Sequence, residues 1–283
     1  MTKFSPSESA LEGFRITRER PGTILVWSLV YFVGIMVIAM IMVVALGPDF
    51  IKFVKDGRLQ SGDAAAFGAV LEQHWIALLL ITLVASGLFS ILMGGIYRLA
   101  LRPSEKGLAH LRLGADELRL TLVNLVLVPV YLLFGALSVR TLTIGGPLGW
   151  MVSLVLFAVL TWVGVRLSLA TPMTFAEHRI AIVDSWRLTK GHFWSLFGMV
   201  ILAFIFYLMV WLLFSIISYA AIAMAGGQDA IANPANLAPL AIVAFFAFLA
   251  VQLLLPILQV VMIYSPLAEA YRELTGAPRD ALP

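Results

Sequence analysis

The side chains able to carry acid–base or metal chemistry are few in this 283-residue chain, and they are scattered. Its four histidines, His74, His110, His178 and His192, show no metal-ligand spacing, and no His-Glu-x-x-His, Gly-x-Ser-x-Gly or phosphate-loop pattern occurs. The adjacent acids Asp116 and Glu117 have no partner base or metal set beside them in sequence and read as a solvated helix start. Zero cysteines remove thiolate ligands, cysteine nucleophiles and disulfides. A membrane enzyme would need Asp116, Glu117, Asp184 and a histidine to converge. The expectation is no catalytic residue set, no metal and no cofactor.

Three amides sit within apolar runs. Asn124 lies five residues before Pro129 and Gln252 four before Pro256, where a side-chain amide can help satisfy the backbone that a proline leaves open. Gln252 and Gln259 are seven apart and share a helix face; with Asn124 around one cavity they would line a solute path. Arg98 and Arg166 stand at the ends of apolar runs, where a guanidinium snorkels to the interface or clamps a phosphate headgroup. Both readings put the charge on the aqueous side.

The elements that position these groups follow from composition. With 61% hydrophobic and 12% charged residues and a mean hydropathy of +0.98, the chain has too few polar groups to clothe a water-soluble globule. Six runs are long enough to span a bilayer: Ile24–Leu46, Trp75–Tyr97, Leu120–Val139, Leu148–Val165, Phe193–Met224 and Leu240–Tyr264. The first is a retained anchor, since a signal peptide would have a shorter core and a cleavage site. Phe193–Met224 exceeds one crossing and must tilt, kink or run past the surface. The fold class is therefore an all-α integral membrane protein.

None of the sixteen acids lies inside these runs, whereas coupled transporters place a titrating group near the bilayer middle. Of nineteen Lys and Arg, fifteen fall on the side of the termini. The other side holds Lys52, Lys55, Arg58 and Arg140, so the positive-inside rule places both termini in the cytoplasm. The largest segment on the outer side, Gly47 to His74, contains Phe50, Phe53 and Val54 at helical spacing, which predicts a short surface helix.

An internal repeat links the basic segments. Glu12-Gly13-Phe14-Arg15-Ile16-Thr17-Arg18 matches Asp184-Ser185-Trp186-Arg187-Leu188-Thr189-Lys190, and a fainter copy is Leu111-Arg112-Leu113. The inferred plan is three parallel units, about 5–101, 102–171 and 172–273, with 274–283 a short tail. Each unit is an amphipathic interfacial helix followed by two spans, all within one membrane domain. Ser5-Pro6-Ser7-Glu8 and Thr174-Phe175-Ala176-Glu177 have capping-box spacing, predicting helix starts. On these helices Arg15, Arg18, Arg112, Arg187 and Lys190, with Trp186, are the candidates for facing anionic lipid or a partner. Ser86, Ser90 and Gly94 recur every fourth residue, as close helix packing or a homo-oligomer contact requires.

Two segments carry a family resemblance. Arg166-Leu167-Ser168-Leu169-Ala170-Thr171-Pro172, then Asp184-Ser185-Trp186-Arg187-Leu188-Thr189-Lys190-Gly191 with Phe193-Trp194, resemble bacterial multi-pass proteins known as the membrane domain of glycerophosphoryl diester phosphodiesterase and the YciC-like inner-membrane proteins. Leu111 to Leu118 resembles a further element of that group. The resemblance implies an inner-membrane helical bundle. It does not imply phosphodiester hydrolysis, which belongs to a separate soluble barrel with a His, Glu and metal site. The expected function is a noncatalytic, lipid-interacting scaffold or accessory subunit; a transporter or channel for a lipid-derived or small solute is the alternative. The expected partners are anionic membrane lipids, with a protein subunit or a second copy of the chain as further candidates and no nucleic acid.

Overall fold

The computed structural model describes residues 4–55, 64–105, 107, 109–144, 146–224, 227 and 239–276. Lys3, Arg58, Lys106, Asp229 and Arg279 lie outside the described residues, as do the side chains of Phe50, Lys52, Phe53, Val54 and Lys55. Among the described residues every regular element is a helix: α1 (Pro6–Ala10), α2 (Glu12–Glu19), α3 (Pro21–Lys55), α4 (Ala64–Leu101), α5 (Ala115–Ile144), α6 (Gly146–Leu167), α7 (Ala170–Glu177), α8 (Ile182–Leu188), α9 (Phe193–Met224) and α10 (Pro239–Thr275). Six stretches are long and apolar enough to cross a membrane: Pro21–Gly47, Gln73–Leu101, Ala115–Ser138, Gly146–Glu177, Phe193–Met224 and Ile242–Thr275. Lipid offers no partner for a bare amide, so helices form the crossings, with breaks only near their ends, at Gly47, at His74 and at Ser168-Leu169, and the protein is an all-α, multi-pass membrane protein.

The helices outrun the apolar sequences that announce them. α5 begins at Ala115 and takes Asp116 and Glu117 into its first turn. α3 is interrupted at Gly47 (φ 62°, ψ −154°), a conformation open to glycine, and turns there into a helical stretch that reaches Lys55. α9 is one uninterrupted 32-residue helix. At about 1.5 Å per residue it measures roughly 48 Å, well beyond a hydrocarbon core of about 30 Å.

α3 with α4, α5 with α6 and α9 with α10 pack as pairs, and α4 and α10 form the centre on which the others lean. Burial is uneven along the bundle. The fully buried large side chains, among them Trp27, Tyr97, Leu120, Phe175, Leu196 and Ile257, gather at the end that carries the termini. Toward the opposite end the helices expose Val44, Leu132, Leu154 and Ile216. The first and last segments meet at the tight end, where the Ser5 amide donates to Glu273 at 3.0 Å.

Three local expectations differ from the structure. Leu111-Arg112-Leu113, the faint third repeat copy, lies in a loop before α5 and is not an interfacial helix. Ser5 precedes α1 without a side-chain capping bond; Pro6, which has no N–H to satisfy, starts the helix instead. Thr174 lies inside α7, where its hydroxyl donates to the Ala170 carbonyl at 2.6 Å and accepts from the Ala181 amide at 3.2 Å. It staples the chain leaving α7 rather than starting a helix.

Candidate functional site

The tight end is organised by arginines that point inward. Arg98, at the end of α4, is 3% exposed. It pairs with Glu117 of α5, donates to the His110 carbonyl at 3.0 Å and lies 3.6 Å from Glu105. This corrects the expectation of a span-end arginine facing headgroups, and of Glu117 as a solvated acid. A charge moved out of water needs a partner, and Arg98 and Glu117 supply each other. Arg102, one turn on, donates to the carbonyls of Phe175 at 3.4 Å and Ala176 at 3.1 Å, two of the acceptors that the last turn of α7 leaves without an intrahelical donor. Both guanidinium groups lie over the Phe175 ring, 5.4 and 5.1 Å from its centroid. Beneath them the Tyr97 hydroxyl meets Thr171 at 2.6 Å.

Some of the acid–base groups do meet. His178 places Nδ1 2.7 Å from Asp116 and Nε2 3.0 Å from Arg102 Nη2. Arginine only donates, so Nε2 accepts and Nδ1–H donates to Asp116, an arrangement that occupies the lone pair a general base would use. Asp116 also accepts from Arg119 at 2.7 Å. Arg179 bridges Glu177 at 2.6 Å and Asp184 at 2.5 Å, and these carboxylates raise its pKa. Glu117 turns away to Arg98. Among the described residues no group of three or more His, Asp and Glu side chains is placed to hold a metal.

The three span amides do not share a cavity. Asn124 is buried and donates to Ser90 Oγ at 3.0 Å. Its helix partner is the small-residue row of α4: Ser86 and Ser90 are buried, and Gly94 faces Glu117, which occupies the space a Cβ would need. The row is filled by α5. Gln252 lies beside Ser215 and Ser218 in a cavity of about 240 Å³, while Gln259 is exposed and accepts from the Tyr207 hydroxyl at 3.4 Å.

The interfacial candidates divide by charge matching. Arg15 is tied to Glu12 through two bonds and lies 3.8 Å from Glu19, and the pairing with Glu12 raises its pKa. Arg112 is exposed, 3.5 Å from Glu105. Arg18, Arg187 and Lys190 are exposed, with Arg187 3.7 Å from Asp184. Beside these bases Leu11, just before α2, and Phe14 on it are 47% and 36% exposed, and α8 shows Val183 and Trp186, 64% and 36% exposed. The opposite side of α2 is docked, with Gly13 against the Met262 backbone of α10.

Arg166 lies 5.9 Å from the Trp162 ring centroid and 5.7 Å from that of Trp186. Its Nε and Nη1 are buried with no hydrogen-bond partner among the described residues. Its carbonyl accepts from the hydroxyls of Ser185 at 3.0 Å and Thr189 at 3.2 Å, which clasps the end of α6 to α8. Sequence reading found the arginine and one tryptophan but not Trp162, which stands one turn before Arg166 at the spacing of a helix face.

A cavity of about 400 Å³ lies between α5, α6, α9 and α10, with Thr171 of α7 and Leu267 of α10 also in its lining. Asn124, Tyr131, Gly164, Val200 and Tyr264 are on its wall, and among the described residues no charged side chain lines it. It forms because α6 leans on α5 and touches α9 only lightly. Compared with protein-family models, curated proteins and solved structures, the chain has no match.

Proposed function

We propose that the protein is a noncatalytic component of the bacterial inner membrane that holds anionic lipid at its cytoplasmic face and serves as a scaffold or accessory subunit there, with both termini in the cytoplasm. The observation that carries this reading is the matched pair of surface helices. α2 with its N-cap Leu11, and α8, each expose a large apolar edge, Leu11 with Phe14 and Val183 with Trp186, next to the exposed bases Arg18, Arg187 and Lys190. An edge of that kind belongs at the level where acyl chains meet headgroups, with the bases in the phosphate layer. Arg166 between two tryptophans supports it: its guanidinium has no acid paired with it among the described residues and is only half-buried, so its open edge can meet a phosphate or ester oxygen. The excess of basic residues on the side of the termini supports the orientation. The proposed kinship with the phosphodiesterase membrane-domain and YciC-like proteins fits the clasp at Arg166, which joins the two segments that carry the resemblance.

The test is reconstitution in nanodiscs made from equal parts phosphatidylethanolamine and phosphatidylglycerol, followed by mass spectrometry of the lipids that stay bound after detergent extraction. Phosphatidylglycerol should be enriched. The variant Arg18→Ala, Arg187→Ala, Lys190→Ala should lose that enrichment, since each base near the surface contributes about 1 kcal/mol toward anionic lipid, or about fivefold. Arg15→Ala should have a smaller effect, its charge being matched by Glu12. Equal lipid proportions in the wild-type extract would defeat the proposal.

A further inference from the structure

We infer that the 400 Å³ chamber between α5, α6, α9 and α10 is a binding site for one acyl chain of a membrane phospholipid, entered sideways from the bilayer between α6 and α9. The inference deepens the lipid-binding reading by naming a site inside the bundle, separate from the bases of α2 and α8.

The shape of the chamber fits a chain lying along the helices. Its wall runs from Asn124 to Tyr131 on α5, from Thr161 on α6 to Ser168 just past its end, and from Phe197 to Phe204 on α9. Each is a seven-residue rise of about 10 Å, within the roughly 15 Å that one leaflet's share of the hydrocarbon core provides. The volume falls within the range of about 300–1,000 Å³ typical of ligand pockets.

Its chemistry selects an apolar, uncharged occupant. The lining is mostly aliphatic and aromatic, and apolar space of this kind is a poor site for water. Left empty, the chamber would forfeit dispersion contacts along its whole wall. The light contact between α6 and α9 puts acyl chains next to the opening, and lipid tails are as apolar as the leucines around it. The hydroxyls of Tyr131 and Tyr264 are on the wall without hydrogen bonds among the described residues, and an ester carbonyl offers the acceptor they lack. Gly164 keeps the wall open: a Cβ there would reach Tyr131 at 3.7 Å, an ordinary contact, so a larger side chain would project into the chamber.

The experiment uses the full chain in phosphatidylcholine nanodiscs doped with a phosphatidylcholine whose acyl chain carries a diazirine. After irradiation, adducts are mapped by peptide mass spectrometry. Adducts are expected on chamber residues such as Tyr131 and Val200 as well as on the outward-facing Leu154. In Gly164→Phe, and independently in Ala203→Phe, chamber adducts should fall at least tenfold while those on Leu154 stay unchanged. Adducts confined to Leu154 and other outward residues in the wild-type protein would overturn the inference, whatever the variants do. So would chamber adducts that persist in both filled variants. Repeating the measurement with an anionic diazirine lipid should give equal chamber labelling, because no charge lines the site; labelling that required the anionic headgroup would overturn the acyl-chain assignment. The Arg18, Arg187, Lys190 triple variant should keep its chamber adducts, so failure of the surface reading and failure of this one are told apart.

Discussion

Glu117 of α5 accepts from Arg98 of α4 in a recess left by Gly94, where a Cβ would stand 2.7 Å from the Glu117 carboxylate oxygen. Removing Arg98 strands a buried carboxylate, and removing Glu117 leaves buried Arg98 with only the more distant Glu105, 3.6 Å away. Glu117→Ala should therefore destabilise the protein by about 3–5 kcal/mol, and Arg98→Met combined with Glu117→Leu should recover most of the loss. Unfolding in detergent micelles across the three proteins measures this; additive losses in the double variant would contradict the pairing.

Two glycines of α4 should respond differently to the same substitution. Gly94→Ala pushes on Glu117 and should cost about 1–3 kcal/mol. Gly87 has nothing within 4 Å of a Cβ, so Gly87→Ala should be neutral or stabilising by up to about 1 kcal/mol. Melting temperatures of the two variants side by side decide it.

Stability should depend on the ionisation of His110. Burial lowers its pKa from 6.5 in the fold, and Arg20 and Arg98 add to the shift against its hydrogen bond with Glu105. The unfolded chain then takes up the proton first as pH falls. The contribution from His110 is full above about pH 6.5 and is lost as pH drops through that value toward the lower folded pKa. His110→Gln should flatten the pH dependence of unfolding in that window, and an unchanged slope would assign it to other groups.

Asn124→Ala should cost far less than the loss of Glu117. A single interhelical hydrogen bond within a membrane contributes about 0.6 kcal/mol, with a maximum near 1.7, and Ser90 keeps its own bond to the Ser86 carbonyl at 2.7 Å. A loss as large as that of Glu117→Ala would show that Asn124 has a further role in the chamber wall.

The six crossings were legible because apolar length alone separates a bilayer span from the segments around it. The row Ser86, Ser90, Gly94 was legible as a place of close approach, though not its occupant. The inward arginines were not legible. Arg98 and Glu117 lie 19 positions apart on different helices, and no local spacing tells a span-end arginine that finds a carboxylate from one that reaches a headgroup. Arg15 and Glu12, one turn apart on α2, were legible as a pair. The capping-box spacing at Thr174 misled because the hydroxyl meets a carbonyl behind it and an amide seven residues ahead. The chamber arises from how α6 stands off from α9, a relation between helices that share no pattern in sequence.

The contact between Ser5 and Glu273 joins residues 268 positions apart, and α2 is seated on α10 through Gly13. Because α2 precedes α10 in the chain, the surface that buries Glu12, Gly13 and Ile16 is complete only once α10 is in place. Synthesis interrupted before α10 would leave that face of α2 uncovered and open to proteolysis, so the seat of α2 on α10 ties the early helices to the insertion of the late one.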